Sequence, residues 1–96
     1  MSPGFHRLAE QELLDEVARY EQQAPGLGAD FLRAVEDACD LLMRHPKAAP
    51  IVRGDARRLV LRRFPHNIIY SLMEDEPCIL AVAHHSRSPH YWRDRS

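Results

Sequence analysis

Two segments in the first half of the chain repeat apolar residues with the spacing of an α-helix. Leu8 to Gln23 is rich in Glu, Leu and Ala, and its apolar positions are four, three and four residues apart: Leu13, Val17, Tyr20 and Ala24. A second segment begins near Gly28 and has the same spacing until His45-Pro46 ends it: Phe31, Val35, Ala38 and Leu42. Because only a short loop around Ala24-Pro25-Gly26 separates them, the two segments are predicted to form an antiparallel helical hairpin.

The second half of the chain shows patterns typical of β-strands. Arg57 to Phe64 and Asn67 to Met73 both alternate between two faces, and the polar turn Glu74 to Pro77 follows. Cys78 to Ala83 is apolar on both faces, which only a strand covered on both sides requires, so it is predicted to be the central strand. From Ser86 onward the pattern predicts a turn and a tail that folds back on the sheet.

These elements predict an α+β fold, in which an N-terminal helical hairpin packs on one face of a small antiparallel β-sheet. The 96 residues leave room for one hydrophobic core, so a single domain, 1–96, is expected. Only about Phe5-His6 precedes the first helix, so a strand there is short or missing. The opposite sheet face is then left free for function.

Composition and charge add a division between the two halves. The chain is 45% hydrophobic and 28% charged, as in ordinary globular proteins. Residues 1–46 carry four arginines against nine acidic residues, and residues 47–96 carry nine basic residues against five acidic ones, so the net charges are −5 and +4. This asymmetry predicts two faces with different partners, the basic one suited to phosphates or to an acidic protein.

The chain is expected to act in the cytoplasm. Its longest apolar run, Cys78 to Ala83, is far shorter than the roughly 20 residues of a membrane-spanning helix, and no membrane partner is expected. The N-terminal residues show no apolar stretch of the kind found in secretory signals. Cys39 and Cys78 lie far apart in apolar surroundings, which predicts buried, reduced thiols.

The first candidate site is a run of five arginines opposed by a single acid, Asp55, within residues 53–63: Arg53, Arg57, Arg58, Arg62 and Arg63. Strand alternation would place Arg58 and Arg62 on one face, roughly 13 Å apart at ~3.3 Å per residue, within reach of two adjacent phosphates. Forked guanidinium groups favour contacts with phosphate or carboxylate. The ordinary alternative is a solvated edge strand protected by charge.

The second candidate site lies in residues 84–95, where His85, Arg87 and Tyr91 could move protons and hold a phosphate. The ordinary alternatives are a packing role for His84, which continues the apolar face of Cys78, Leu80 and Val82, and an anchoring role for Trp92. The histidines lack a second ligand pair at metal spacing, and there is no glycine-rich phosphate loop and no nucleophile elbow. No metal and no cofactor are expected.

Several strings, in this order along nearly the whole chain, resemble the RelE/ParE family of toxins from type II toxin–antitoxin modules, in particular its plasmid-stabilisation branch. The strings are Ala9–Tyr20, Pro25–Gly28 followed by Phe31-Leu32, the Arg57-Arg58 strand leading to Phe64-Pro65, Ile69-Tyr70, and Ala81–His84 with Arg87, Pro89, Tyr91-Trp92 and Arg95. The resemblance implies a helical hairpin on a small antiparallel sheet. It also implies a cognate antitoxin that wraps and neutralises the toxin.

The resemblance leaves two mechanisms open. RelE-like members cut mRNA in the ribosome without a metal, whereas ParE-like members inhibit DNA gyrase without known nuclease chemistry. A third alternative is an interaction domain that has lost toxicity.

The resemblance also implies site residues. The positions that match the family are Arg58 or Arg62, His85, Arg87 and Tyr91, of which Arg62, His85, Arg87 and Tyr91 are the catalytic candidates. The arginine run itself supplies the candidates for contact with nucleic acid or antitoxin, Arg57, Arg58 and Arg63. In a nuclease, the 2′-hydroxyl would attack the adjacent phosphate while His85 or Tyr91 moves protons. Arg62 and Arg87 would hold the phosphate.

Overall fold

The computed structural model describes residues 3–95 of the chain; Met1, Ser2 and Ser96 of the expected 1–96 domain lie outside the described residues. Its elements are β1 (Gly4–Phe5), α1 (Arg7–Gln23), α2 (Leu27–Arg44), β2 (Ile51–Arg53), β3 (Ala56–Val60), β4 (His66–Met73) and β5 (Glu76–His84). The α+β fold is confirmed, with the short first strand reduced to two residues. Neither helix in the described part of the chain is long and apolar enough to span a membrane.

The turn between α1 and α2 is stabilised by a glycine in a left-handed conformation and by a carboxylate that caps the start of α2. Gly26 has a φ of +88°, a left-handed conformation that favours glycine and lets the chain reverse within three residues. The Glu21 carboxylate accepts hydrogen bonds from the backbone N–H groups of Gly26 (3.0 Å) and Gly28 (3.1 Å), at the positive end of α2. The predicted hairpin is confirmed.

The five strands form one sheet in the order β1-β5-β4-β3-β2. Strands β2 to β5 are an antiparallel meander, whereas β1 pairs parallel with β5. The sheet is therefore mixed. Parallel strands need a long connection, and the two helices are part of the connection between β1 and β5. Strand β5 is an interior strand, but the prediction that it is the central one is wrong: β4 is in the middle, because β1 and the unpredicted β2 close the two edges.

A β-bulge divides the side chains of β5 between the two sheet faces. Tyr70 pairs with Ile79 and Ile69 pairs with Ala81, so Leu80 is an extra residue on β5. Ile79 therefore packs toward the helices, and Leu80 packs on the other side. The predicted single face of Cys78, Leu80, Val82 and His84 is wrong, because strict alternation does not continue through a bulge.

Two apolar clusters lie on opposite faces of the sheet. The larger packs the helices on the sheet around fully buried side chains such as Phe31, Ile68 and Tyr70. In the smaller, Trp92, 5% exposed, packs on five residues of the sheet: Ala56, Ile69, Leu80, Ala81 and Ala83. The tail folds back as predicted with Trp92 as its anchor, and it covers part of the sheet face that was expected to be free.

The two cysteines are free thiols in different surroundings. Cys39 is buried, and this burial, with help from Asp40 and Glu36, raises the pKa of its thiol to about 11. Cys78 is only half-buried. Cys39 therefore behaves as a small packing side chain rather than as a nucleophile.

Candidate functional site

A cleft lies between strands β3 and β4 and the residues that follow β5; we call it the tail-side cleft. Of the described residues, those that line it are Val52, Arg58, Asn67, Ile69, Ala83, His84, His85, Arg87, Ser88, Pro89, His90, Tyr91 and Trp92. This lining contains two arginines and three histidines but no aspartate or glutamate. Such a lining suits an anionic ligand. Within residues 3–95, no group of three or more His, Cys, Asp or Glu side chains could hold a metal ion.

Strand alternation brings Arg58 to this cleft and takes Arg57 away from it. Arg58 is exposed on the sheet face of the smaller apolar cluster, two residues from buried Ala56. Arg57 points to the helix side, where its guanidinium donates to the backbone carbonyls of Ala49 (2.8 Å) and Lys47 (3.3 Å). Arg57 therefore holds the segment between α2 and β2, and Arg58 is the arginine of β3 that is available to a ligand.

Arg62 and Arg63 lie beyond the end of β3, on a different part of the surface. The strand ends at Val60, and Arg62 borders a groove between α2 and the end of β3. The prediction that Arg58 and Arg62 share a strand face is wrong, because the backbone turns after Val60 to bury Leu61. Arg63 is 70% exposed, and its guanidinium is 4.0 Å from the Asp30 carboxylate.

His85 and Arg87 lie at the root of the tail and border the tail-side cleft. The backbone N–H of His85 donates to the Pro65 carbonyl (2.8 Å), and its ring Nε2 is 3.0 Å from Asn67 Oδ1. The Arg87 guanidinium lies 3.8 Å from the centre of the Tyr91 ring, and its Nη1 is 3.9 Å from Glu12 Oε2. Arg87 is half exposed and can meet a ligand without leaving this stacked position.

Tyr91 lines the cleft, but its hydroxyl is directed at a carboxylate of α1. Its hydroxyl donates to Glu12 Oε2 at 2.7 Å. Burial, and next the hydrogen bond and charge of Glu12, raise the pKa of Tyr91 well above its ordinary value. The hydroxyl therefore stays protonated near neutral pH, and its proton is directed at a carboxylate.

Glu12 of α1, which the sequence did not single out, holds the tail beside the cleft. Its carboxylate accepts from the Val82 backbone N–H (3.0 Å), the Tyr91 hydroxyl (2.7 Å) and both Nη groups of Arg95 (2.9 and 3.1 Å). Arg95 Nη1 also donates to the Leu80 carbonyl at 3.0 Å. One signal could have found it: Glu12 borders the apolar stripe of α1, where an acid is half-buried and needs a partner.

A second group that the sequence did not single out surrounds His66, the first residue of β4. His66 is fully buried between the rings of Tyr20, Phe31 and His84, and its Nε2 is 2.7 Å from Glu16 Oε2. Its Nδ1 has no hydrogen-bond partner within residues 3–95. Burial lowers the pKa of His66, against the opposing effect of Glu16, so the ring is neutral.

Glu16 joins this buried ring to the surface of α1. Its carboxylate also accepts two hydrogen bonds from the Arg19 guanidinium, at 2.8 and 2.9 Å. The Arg19 hydrogen bond and, after it, the His66 hydrogen bond lower the pKa of Glu16 to about 2, although partial burial opposes them. A carboxylate thus ties the buried start of β4 to α1.

The family model described as ParE toxin of type II toxin-antitoxin system, parDE, matches residues 4–89. A search of curated proteins found no significant match. The matched residues include both helices, all five strands and most of the tail-side cleft. They end before Tyr91 and Arg95, so the contacts of these two residues with Glu12 rest on the structure alone. The chain belongs to the ParE toxin family, the toxins of type II toxin–antitoxin systems.

Proposed function

We propose that this toxin inhibits DNA gyrase by binding it, without cleaving RNA, and that a cognate antitoxin neutralises it. The observation that carries this proposal is that two of the four catalytic candidates do not offer a reactive group to the tail-side cleft. Arg62 borders another groove, and the Tyr91 hydroxyl is bonded to Glu12. Membership of the ParE toxin family supports the same choice.

A ribonuclease would need several groups around one phosphate. It must accept the proton of the 2′-hydroxyl, stabilise the charge that develops on the phosphate, and protonate the leaving oxygen. Of the candidates that line the tail-side cleft, His85 and Arg87 have groups free to act there. Tyr91 is not a base, because its raised pKa keeps the hydroxyl protonated, and its proton is donated to Glu12 rather than to the cleft. His85 and Arg87 alone do not supply both a general acid and a general base, because an arginine side chain stays protonated.

The tail-side cleft suits binding better than catalysis. Arg58 and Arg87 lie on its two walls, with no carboxylate among its described lining residues. Gyrase acts on DNA, whose phosphates give arginines a ready electrostatic partner. We propose that the cleft contacts the gyrase–DNA complex, which places the site of action in the cytoplasm.

The antitoxin is proposed to occupy the other arginine-bearing surface, the groove between α2 and the end of β3. Arg62 and Arg63 are exposed at this groove, beside the partly exposed apolar side chains of Leu59 and Leu41. Arg33, Asp30 and Asp37 also line it, so three arginines stand against two aspartates. An antitoxin segment with acidic and apolar residues would complement it.

The test is expression of the chain without an antitoxin, with parallel assays of growth, mRNA integrity and supercoiling by purified gyrase. The proposal predicts growth arrest, intact mRNA and loss of supercoiling. Arg58→Ala and Arg87→Ala should each weaken gyrase inhibition, whereas Arg7→Ala, exposed on α1 outside the cleft, should not. Degraded mRNA with normal supercoiling would instead establish the nuclease function, provided that mRNA stays intact when His85→Gln is expressed. Normal growth would exclude toxicity.

A further inference from the structure

The residues after β5 are attached to the rest of the molecule mainly by side chains; we call residues 85–95 the C-terminal strap. Three of its backbone hydrogen bonds are internal, as in Tyr91 N–H to the Ser88 carbonyl. Two others attach the start of the strap, from His85 N–H to the Pro65 carbonyl before β4 and from Arg87 N–H to the His84 carbonyl at the end of β5. The strap forms no strand or helix. It can therefore leave the sheet without breaking a β-ladder or a helix.

Two contacts hold the far end of the strap. The indole of Trp92 lies on a shallow seat of small and aliphatic side chains, among them Ala81 and Ala83. The Glu12 carboxylate binds the Tyr91 hydroxyl and the Arg95 guanidinium, and the side chains of Glu12 and Arg95 are only 17% and 13% exposed. Shielding from water strengthens the attraction between the two charges, and removal of one of them would leave the other buried and unpaired.

The same two side chains complete the open edge of β5. Strand β1 is paired only with Cys78 and Ile79, so β5 continues beyond it. There Glu12 accepts from the Val82 N–H and Arg95 donates to the Leu80 carbonyl. Backbone groups at a sheet edge need partners, and here a side chain of α1 and a side chain of the strap supply them together.

We propose that the C-terminal strap is a detachable element that Glu12 holds closed. The tail-side cleft has the strap as one wall, from His85 to Trp92, so the cleft exists only while the strap is closed. Opening the strap would expose the Trp92 seat and the edge of β5 while the larger apolar cluster stays intact. The claim that strap opening affects gyrase binding through the cleft rests on the proposed function. The claim that the strap detaches does not.

Trp92 is the single tryptophan of the chain, so its fluorescence reports the strap directly. In Glu12→Ala, the emission maximum should shift to the red and acrylamide should quench it more strongly, while far-UV circular dichroism and cooperative urea unfolding are retained. Glu12→Gln should give a smaller shift, because its one amide oxygen can still accept from the Val82 N–H, whereas the NH2 group in place of Oε2 cannot accept from Tyr91 and the charge pair with Arg95 is lost. Glu36→Ala, an exposed acid on α2, is the matched control and should change neither signal.

Other outcomes overturn the proposal. If Trp92 in Glu12→Ala stays as shielded as in the wild type, or becomes exposed only together with global unfolding, the strap is not a separate element. If Glu12→Ala does not fold, the double variant Tyr91→Phe, Arg95→Ala keeps Glu12 on Val82 and decides the question by the same fluorescence.

A gyrase assay on the same variants separates the two proposals. An open strap with undiminished gyrase inhibition would overturn the link between strap and cleft. Absence of gyrase inhibition by the wild-type chain would overturn the proposed function, while the fluorescence result still decides the strap.

Discussion

Arg57 and Arg58 are adjacent in the sequence, but strand β3 turns them to opposite faces of the sheet. The Arg57 guanidinium donates hydrogen bonds to the backbone carbonyls of Ala49 and Lys47, whereas Arg58 borders the tail-side cleft. A run of arginines in a sequence therefore divides into structural and binding members once the strand is placed. Residue type alone could not have made this division, because both positions fit a charged strand.

The two arginines should respond differently to the same substitution. Arg57→Ala removes two hydrogen bonds to carbonyls and is expected to lower the free energy of unfolding by about 1–2 kcal/mol. Arg58→Ala is expected to change it by less than about 0.5 kcal/mol, since its side chain is exposed. Urea denaturation of both variants measures the difference. Equal effects on stability would contradict the assignment.

At the scale of elements, the bounds of the helices follow from their own residues. The predicted helices, Leu8 to Gln23 and from near Gly28 to His45-Pro46, correspond to α1 and α2 within about one residue. Apolar spacing, a turn glycine and a proline are local signals. The predicted strand Arg57 to Phe64 is shorter in the structure, because burial of Leu61 and Phe64 ends the alternation.

The close contact of the two helices depends on Gly28. A Cβ at this position would lie 2.6 Å from the Val17 carbonyl oxygen of α1. Alanine is the better helix former by about 1 kcal/mol, but overpacking costs about 1–3 kcal/mol, so Gly28→Ala is expected to destabilise the protein. Urea denaturation is the measurement.

The control for this prediction is the neighbouring exposed position. Ala29→Gly should lower the free energy of unfolding by about the helix propensity difference alone, ~1 kcal/mol. If Gly28→Ala instead raises the free energy of unfolding by the amount that Ala29→Gly lowers it, the helices do not pack this closely at Gly28.

At the scale of the whole molecule, Glu16 and His66 join α1 to the sheet and make stability depend on pH. The pKa of folded His66 is lowered from 6.5, so below pH 6.5 the unfolded chain binds a proton that the folded chain resists, and stability is lost as pH falls. The pKa of folded Glu16 is about 2 against 4.5, so its contribution is present above pH 4.5 and is lost as pH falls from 4.5 toward 2. The charged and titratable neighbours that share this environment are Arg19, Tyr20 and His84.

Acid unfolding should therefore show two stages, read from urea midpoints at about pH 7.5, about pH 5.5 and about pH 3.5. His66→Gln is expected to be less stable than the wild type at about pH 7.5. Its urea midpoint should fall much less than that of the wild type between about pH 7.5 and about pH 5.5, because the variant lacks the buried imidazole. Glu16→Gln should reduce the change between the last two. An unaltered pH profile in His66→Gln would show that another histidine is responsible.

The sequence by itself determined the features that depend on neighbours along the chain. The α+β class, the helical hairpin, the short first strand, the tail folded back on Trp92 and the family all follow from local spacing, turn residues and strings. These features need no knowledge of which distant residues meet.

Tertiary structure alone decided which distant residues meet and on which face. The parallel pairing of β1, the bulge at Leu80 and the displacement of Arg62 from the cleft arise when strands pair and buried residues close the core. Glu12 meets Arg95 across 83 positions, and Glu16 meets His66 across 50. The physical reason is that a half-buried carboxylate acquires its partners from the packing of elements, which no periodicity along the chain records.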